Sequence, residues 1–235
     1  MNELELTGRV RTHIVDLEAP RCALHYEAVA AFLAMKDAAA LEGMELFACS
    51  SFRDFERQQL IWNQKWQGER VLLDRQGQTL DPRRLTDSER MEAILRWSAI
   101  PGGSRHHWGS DLDVADRTAM PPGYEPRVIP EEYARDGIFG RLSAWLDDNM
   151  SAYGFFRPYR NDRGGVAPEP WHLSYAPVAL PAAESLSLAL LRQCIQDSAM
   201  AGKALVLARL PEIYTRFLLA IDPPGEGVQA VDRRL

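Results

Sequence analysis

The chain has 235 residues, 46 % of them apolar and 26 % charged, with a formal net charge of −6. That supplies a sizeable core and fits one domain with an extension, or two small ones. The acidic balance argues against nucleic acid or an anionic membrane as partner, since both need a basic face.

Three widely spaced cysteines, Cys22, Cys49 and Cys194, occur without a C-x-x-C pair. They read as thiols of a reducing compartment rather than a disulfide framework. Residues 1–6 carry two acids and no apolar stretch of the kind a signal peptide needs. No run approaches the roughly 18 apolar residues of a membrane span, and the expected location is cytoplasmic.

In chain order, residues 7–18 alternate loosely and predict a short strand. Cys22, Tyr26, Val29 and Leu33 fall at helical spacing, which predicts a helix from Arg21 to Leu41 ended by Gly43. Met44 to Cys49 reads as a buried strand that delivers Ser50-Ser51-Phe52-Arg53 at its end. Asp54 caps a helix from Phe55 to Trp66, and residues 71–80 form a hairpin around Gly77. Thr86-Asp87-Ser88-Glu89 is a capping box opening a helix to about Trp97, broken by Pro101-Gly102-Gly103.

Residues 110–114 alternate as a strand, with Asp111 and Asp113 on one side of it, about 7 Å apart. Residues 117–130 are a Pro- and Gly-rich loop. A helix carrying Ile138, Leu142, Trp145 and Leu146 follows, closed by Gly154, and Phe155-Phe156 begins a strand. Asn161 to Pro168 is a loop. Trp171 to Tyr175 is the last strand, ended by Pro177 and Pro181. Residues 183–220 are Ala- and Leu-rich, two helical runs split near Ala201-Gly202, and 222–235 read as a frayed tail.

The chemistry concentrates in Ser104-Arg105-His106-His107-Trp108-Gly109-Ser110-Asp111-Leu112-Asp113 and, some sixty residues on, Glu169-Pro170-Trp171-His172. A histidine and an aspartate seven residues later converge if the chain folds back at Gly109, and His172 closes the set. Two imidazoles and one carboxylate, with a fourth position open to water, describe a catalytic rather than a structural zinc. Glu169, held beside His172 by Pro170, is placed as a general base. His107 is an alternative to His106 in this pattern, and Asp111 is an extra carboxylate that either contacts the metal or hydrogen-bonds behind it.

Ser104-x-His106-x-x-Gly109-x-x-x-Asp113 followed by Glu169-x-Trp171-His172 resembles the zinc D-alanyl-D-alanine carboxypeptidase family, the VanY-type enzymes that trim peptidoglycan stem peptides. Ser50-Ser51-Phe52-Arg53 with Gln58, and Tyr153-Gly154-Phe155, extend the resemblance over roughly residues 44–176.

It implies zinc ligands His106, Asp113 and His172, Glu169 as base, and Arg53 on the substrate carboxylate or the oxyanion, helped by Gln58 and Ser104. Ser51, Trp108 and Asp111 are further candidates for substrate contact. Asp111 departs from the family pattern, which usually has a small residue there.

The expected fold is α+β: a small, mostly antiparallel sheet carrying the zinc site, flanked by helices. A domain over 1–180 is followed by a helical extension over 181–235 that packs on it or pairs two copies into a homodimer.

The expected activity is removal of the terminal D-alanine from a muropeptide. The expected form is an L,D-carboxypeptidase acting on tetrapeptides in cytosolic cell-wall recycling. A D,D-carboxypeptidase or dipeptidase, a cell-wall endopeptidase and a zinc-bearing binding module without turnover are the alternatives.

Overall fold

The structure, a computed structural model, describes residues 1–225. The tail expected to fray lies, from residue 226 on, outside the described residues.

A short helix α1 (Glu3–Leu6), capped by Asn2, precedes an antiparallel hairpin of β1 (Ile14–Glu18) and β2 (Arg21–His25). Helix α2 (Tyr26–Leu41) starts only after it. This corrects the helix expected from Arg21. Cys22 and Leu24 are buried on one side of a strand, and their two-residue period was masked by a helical period that begins at Tyr26. His25 caps α2, its Nδ1 accepting from the Glu27 amide.

Next come β3 (Leu46–Ser50), α3 (Phe55–Gln67), the two-residue strands β4 (Leu72–Leu73) and β5 (Thr79–Leu80), and α4 (Asp87–Trp97). Asp54 caps α3, and Gly68 ends it in the left-handed conformation. Strand β6 (Asp111–Asp116) is followed by α5 (Pro130–Tyr133), α6 (Gly140–Asn149), β7 (Phe155–Phe156) and β8 (His172–Tyr175).

Strands β3, β6, β8 and β7 form one antiparallel sheet in the order β3-β6-β8-β7. All six residues of β6 are buried. A core of Leu46, Leu112, Val114, Phe155 and Leu173 from the sheet packs against Phe32 and Met35 of α2 and against Leu142 and Leu146 of α6.

Four helices close the described chain: α7 (Ala176–Ser185), α8 (Leu188–Gln196), α9 (Lys203–Ala208) and α10 (Leu210–Ile213), the last running into a π-helical turn, Tyr214–Leu219. Pro177 does not stop β8 from outside but sits in the first turn of α7, where its missing N–H costs nothing, and Pro181 lies inside that helix.

The apolar stripe of this segment packs within the molecule. Leu191, Ile195, Val206, Leu210, Ile213 and Phe217 join Trp62 of α3 and Met91, Ile94 and Leu95 of α4 in a second core. Among the described residues no single helix is long and apolar enough to cross a membrane.

Candidate active site

The sheet register assembles the site. In the β6–β8 ladder Asp113 lies opposite His172, and Asp111 opposite Ser174. Cross-strand partners share a face, and diagonal neighbours stay within reach of long side chains. The four therefore form a block on one side of the sheet. Ser50 of β3 pairs with Asp113 from the other flank, where the β3 register shifts between Ala48 and Ser50. A bulge at such a point re-aims the chain that follows, here the one leading to Arg53.

His106 arrives on a short 3-10 turn, Arg105–Trp108, ended by Gly109 at φ +65°. A Cβ at Gly109 would lie 2.6 Å from the His25 backbone nitrogen. Conformation and close packing both demand glycine there.

One nitrogen of each imidazole is committed away from the cleft. His106 Nδ1 lies 3.0 Å from the Ser51 carbonyl oxygen and 3.2 Å from that of Asp111. An imidazole there donates Nδ1–H, which leaves Nε2 a lone pair aimed at Asp113 Oδ2, 3.5 Å away.

His172 is turned the other way. Its Nε2 sits 2.9 Å from Asp111 Oδ1, and its Nδ1 faces Asp113 Oδ1 at 3.2 Å. That oxygen is buried and has no hydrogen-bond partner. Ligand atoms of His106, Asp113 and His172 all lie within 4.8 Å of one another. Two imidazole lone pairs and an orphaned carboxylate oxygen converging on one point fit a divalent cation, and the N2O donor set is one zinc accepts.

Burial pushes His106 down to about 4, which keeps it neutral for a metal. Burial raises Glu169 to about 7 against the pull of His172. Burial alone would lower His172, but its bond to Asp111 and the nearby Asp113 carboxylate overcome this and lift it. Glu169 Oε2 is 3.4 Å from His172 Nδ1, beside the triad.

Arg53 is pinned through its backbone. Its N–H donates to His106 O, and its carbonyl accepts from His107 Nδ1. His107 Nε2 in turn accepts from the Gly102 amide. His107 is thus spoken for on both nitrogens and stands outside the ligand set. The Arg53 guanidinium donates to Gln58 Oε1 at 2.8 Å and Ser50 Oγ at 2.9 Å, both neutral.

A cleft of about 380 Å³ opens over these groups, lined by Arg53, Ser104, His106, Asp113, Glu169 and His172. Ser104 Oγ is buried there without a partner, ready for a ligand.

The other expected contacts sit elsewhere. Asp111, fully buried, is held by Arg105, Ser110, Ser174 and His172, behind the ligand rather than in the cleft. Gln58, also fully buried, ties Arg53 to the Ala99 carbonyl. Ser51 Oγ accepts from the Ala23 amide. Trp108 donates to Leu6 O and packs beside Ala179 and Leu186, away from the triad.

Sequence reading missed Lys65, Tyr159 and the Arg127–Ile129 wall, all of which line the cleft. Glu132 pins that wall by accepting from the amides of Arg127, Val128 and Ile129. An acid three residues after an X-Pro step was the available signal.

A family model described as D-alanyl-D-alanine carboxypeptidase (VanY) matches residues 21–178, which span β2, the four-stranded sheet and every site residue above. The chain belongs to the VanY family. Family and triad together make it a zinc metallopeptidase.

An uncharacterised Haemophilus influenzae protein is 49 % identical over 98 residues, 40 % of this chain and 67 % of that one. A putative carboxypeptidase of Bacillus subtilis, YodJ, is 31 % identical over 156 residues, 63 % of this chain but 45 % of its own length. The vancomycin resistance D,D-pentapeptidase VanY, crystallised as a mutant with Zn(II), superposes with a TM-score of 0.51 at 23 % identity. That match covers 72 % of this VanY-family chain and 82 % of the other, and it shows the shared fold.

Proposed function

We propose that the protein is a zinc carboxypeptidase releasing the terminal D-alanine from peptidoglycan stem peptides, with tetrapeptides as substrate and an L,D bond cut. The observation that carries the reading is the convergence of His106 Nε2, His172 Nδ1 and the orphaned Asp113 Oδ1, with Glu169 beside them in an open cleft.

When bound by His106, Asp113 and His172, zinc supplies Lewis-acid polarisation of the substrate carbonyl and of water. Glu169, held near neutrality by burial, takes a proton from the attacking water and returns it to the leaving amine. Arg53 presents a half-buried guanidinium that forms no ion pair with a carboxylate among the described residues. It meets the charge that develops on the carbonyl oxygen or rests on the substrate carboxylate, a contribution of about 3–4 kcal/mol for a well-placed donor. Ser104 Oγ donates to the peptide.

The L,D preference rests on compartment. Cys22, Cys49 and Cys194 are free thiols, two of them buried, which fits a reducing environment. There a D,D cut would consume the cell's own pentapeptide precursors. Asp111 does not bear on the choice, because it faces His172 and not the cleft.

Incubation with tetrapeptide and pentapeptide muropeptides, followed by mass measurement, tests the reading. D-alanine lost from the tetrapeptide is expected. Loss from the pentapeptide alone contradicts the L,D assignment, and loss from neither contradicts the activity.

A further inference from the structure

The cleft holds a second cation. Lys65, on α3 three turns after Arg53, lines the same cavity. Its Nζ donates to Ser98 Oγ at 2.6 Å, and among the described residues no carboxylate forms an ion pair with it. The half-buried ammonium is held by a neutral hydroxyl.

A chain of contacts joins the two cations. Lys65 bonds Ser98, the next residue Ala99 accepts from Gln58 Nε2, and Gln58 Oε1 accepts from Arg53. Both therefore stand at one end of the cleft.

Their neighbours divide them. Arg53 feels both Asp113 and Glu169, whereas Lys65 feels Glu169 together with Arg53 and Arg70. Arg53 is bonded to Ser50, the strand partner of the metal ligand Asp113, whereas Lys65 is bonded to Ser98 at the end of α4. Burial pulls Lys65 down to about 8, so it is still an ammonium at neutral pH. With a divalent metal in place, Asp113 and Glu169 leave this end of the cleft with a positive excess, although the whole chain is acidic.

We propose that Lys65 is a specificity residue: with Ser98 it receives the C-terminal carboxylate of the leaving residue, and Arg53 is thereby released toward the scissile carbonyl. The proposal deepens the carboxypeptidase reading and rests on it. It separates the two alternative roles that the sequence reading gives Arg53, with Gln58 and Ser104 as helpers, and it makes cleavage depend on a free chain end. Leu73, Trp97 and Val166 add apolar surface to the cavity lining, which suits a small side chain and leaves the ammonium as the recognising group.

The test compares a free acid with its amide. Zinc-loaded protein carrying Glu169→Gln, to prevent turnover, is titrated calorimetrically with a stem tetrapeptide ending in a free carboxylate and with the same peptide ending in a carboxamide. The acid is expected to bind about 30-fold more tightly, the scale of a partly buried charge pair. Lys65→Met and Lys65→Gln are each expected to cut that ratio about tenfold and to leave zinc content unchanged. In the active protein Lys65→Met raises KM for the acid with kcat within about threefold.

An acid-to-amide ratio that survives both substitutions overturns the proposal, as does a parent with no preference for the acid. If the parent hydrolyses no stem peptide, the substrate reading fails separately. Lys65 is then decided by N-acetyl-D-alanine against N-acetyl-D-alaninamide, with the same loss of preference expected.

Discussion

The floor of the cleft and its walls are built by different means. At the floor and just behind it, Asp113 with His172 and Asp111 with Ser174 occupy alternate rungs of one antiparallel ladder. Backbone hydrogen bonds fix their spacing, and the side chains have little freedom left. The walls come from α3, α4 and the segment around Val128, elements tied together only by tertiary packing and by single side chains such as Gln58 and Glu132. The difference teaches that chemistry is anchored to the ladder, whereas selectivity rests on parts that can drift.

The largest expected effect lies on the floor. Glu169→Gln should lower kcat by about 10²–10⁴-fold while zinc content, measured by elemental analysis, stays at the wild-type level. Loss of zinc in that variant would make Glu169 a ligand and break the division between metal holder and base.

Damage to the scaffold behind the walls should appear as stability. Ile195 is fully buried in the core that joins α8 to α3 and α4. Ile195→Ala should cost about 2–5 kcal/mol in urea unfolding. An unchanged midpoint would detach the C-terminal helices from the cleft wall.

Both regions were unequally legible in the sequence. Two of the ligands, His106 and Asp113, were readable because a strand's two-residue period and a glycine turn constrain them within one short stretch, and the third, His172, because it ends the separate Glu169-Pro170-Trp171-His172 segment. Even so, which histidine nitrogen faces the metal needed coordinates, and so did the position of Asp111 behind His172. Lys65 carried no local signal. It sits in a helix among Gln64 and Trp66, and only the fold brings it into the cleft that Glu169 also lines. Trp108 misled because a tryptophan beside a ligand looks like a substrate wall, yet its indole N–H is taken by Leu6 O. The β1–β2 hairpin was obscured where its strand period runs directly into the helical period of α2.

A milder change sharpens the role of the ladder. Asp111→Asn keeps an acceptor for His172 Nε2 but removes the charge that orients it. Zinc affinity by chelator competition should fall about 10–100-fold. An unaltered affinity would leave Asp111 as a partner of Arg105 only.

The smallest effect concerns the hairpin away from the cleft. His25 is buried and held down to about 4, by desolvation first and by His13 next. Its unfolded value is near 6.5, so the unfolded chain binds the extra proton first. Stability is full above about pH 6.5 and falls as pH drops toward 4, by roughly 2 kcal/mol once pH 5 is reached. His25→Asn, which retains a cap for α2, should flatten urea midpoints measured between pH 7.5 and 5. An identical slope would remove His25 as the cause.

The most direct measurement is a crystal of zinc-loaded protein with anomalous difference density at the zinc edge. The predicted result is a single peak bounded by His106 Nε2, His172 Nδ1 and Asp113, with Glu169 outside its shell and Asp111 on the far side of the His172 ring. A peak coordinated by His107 or Asp111, or one that takes Glu169 as a ligand, would contradict the account.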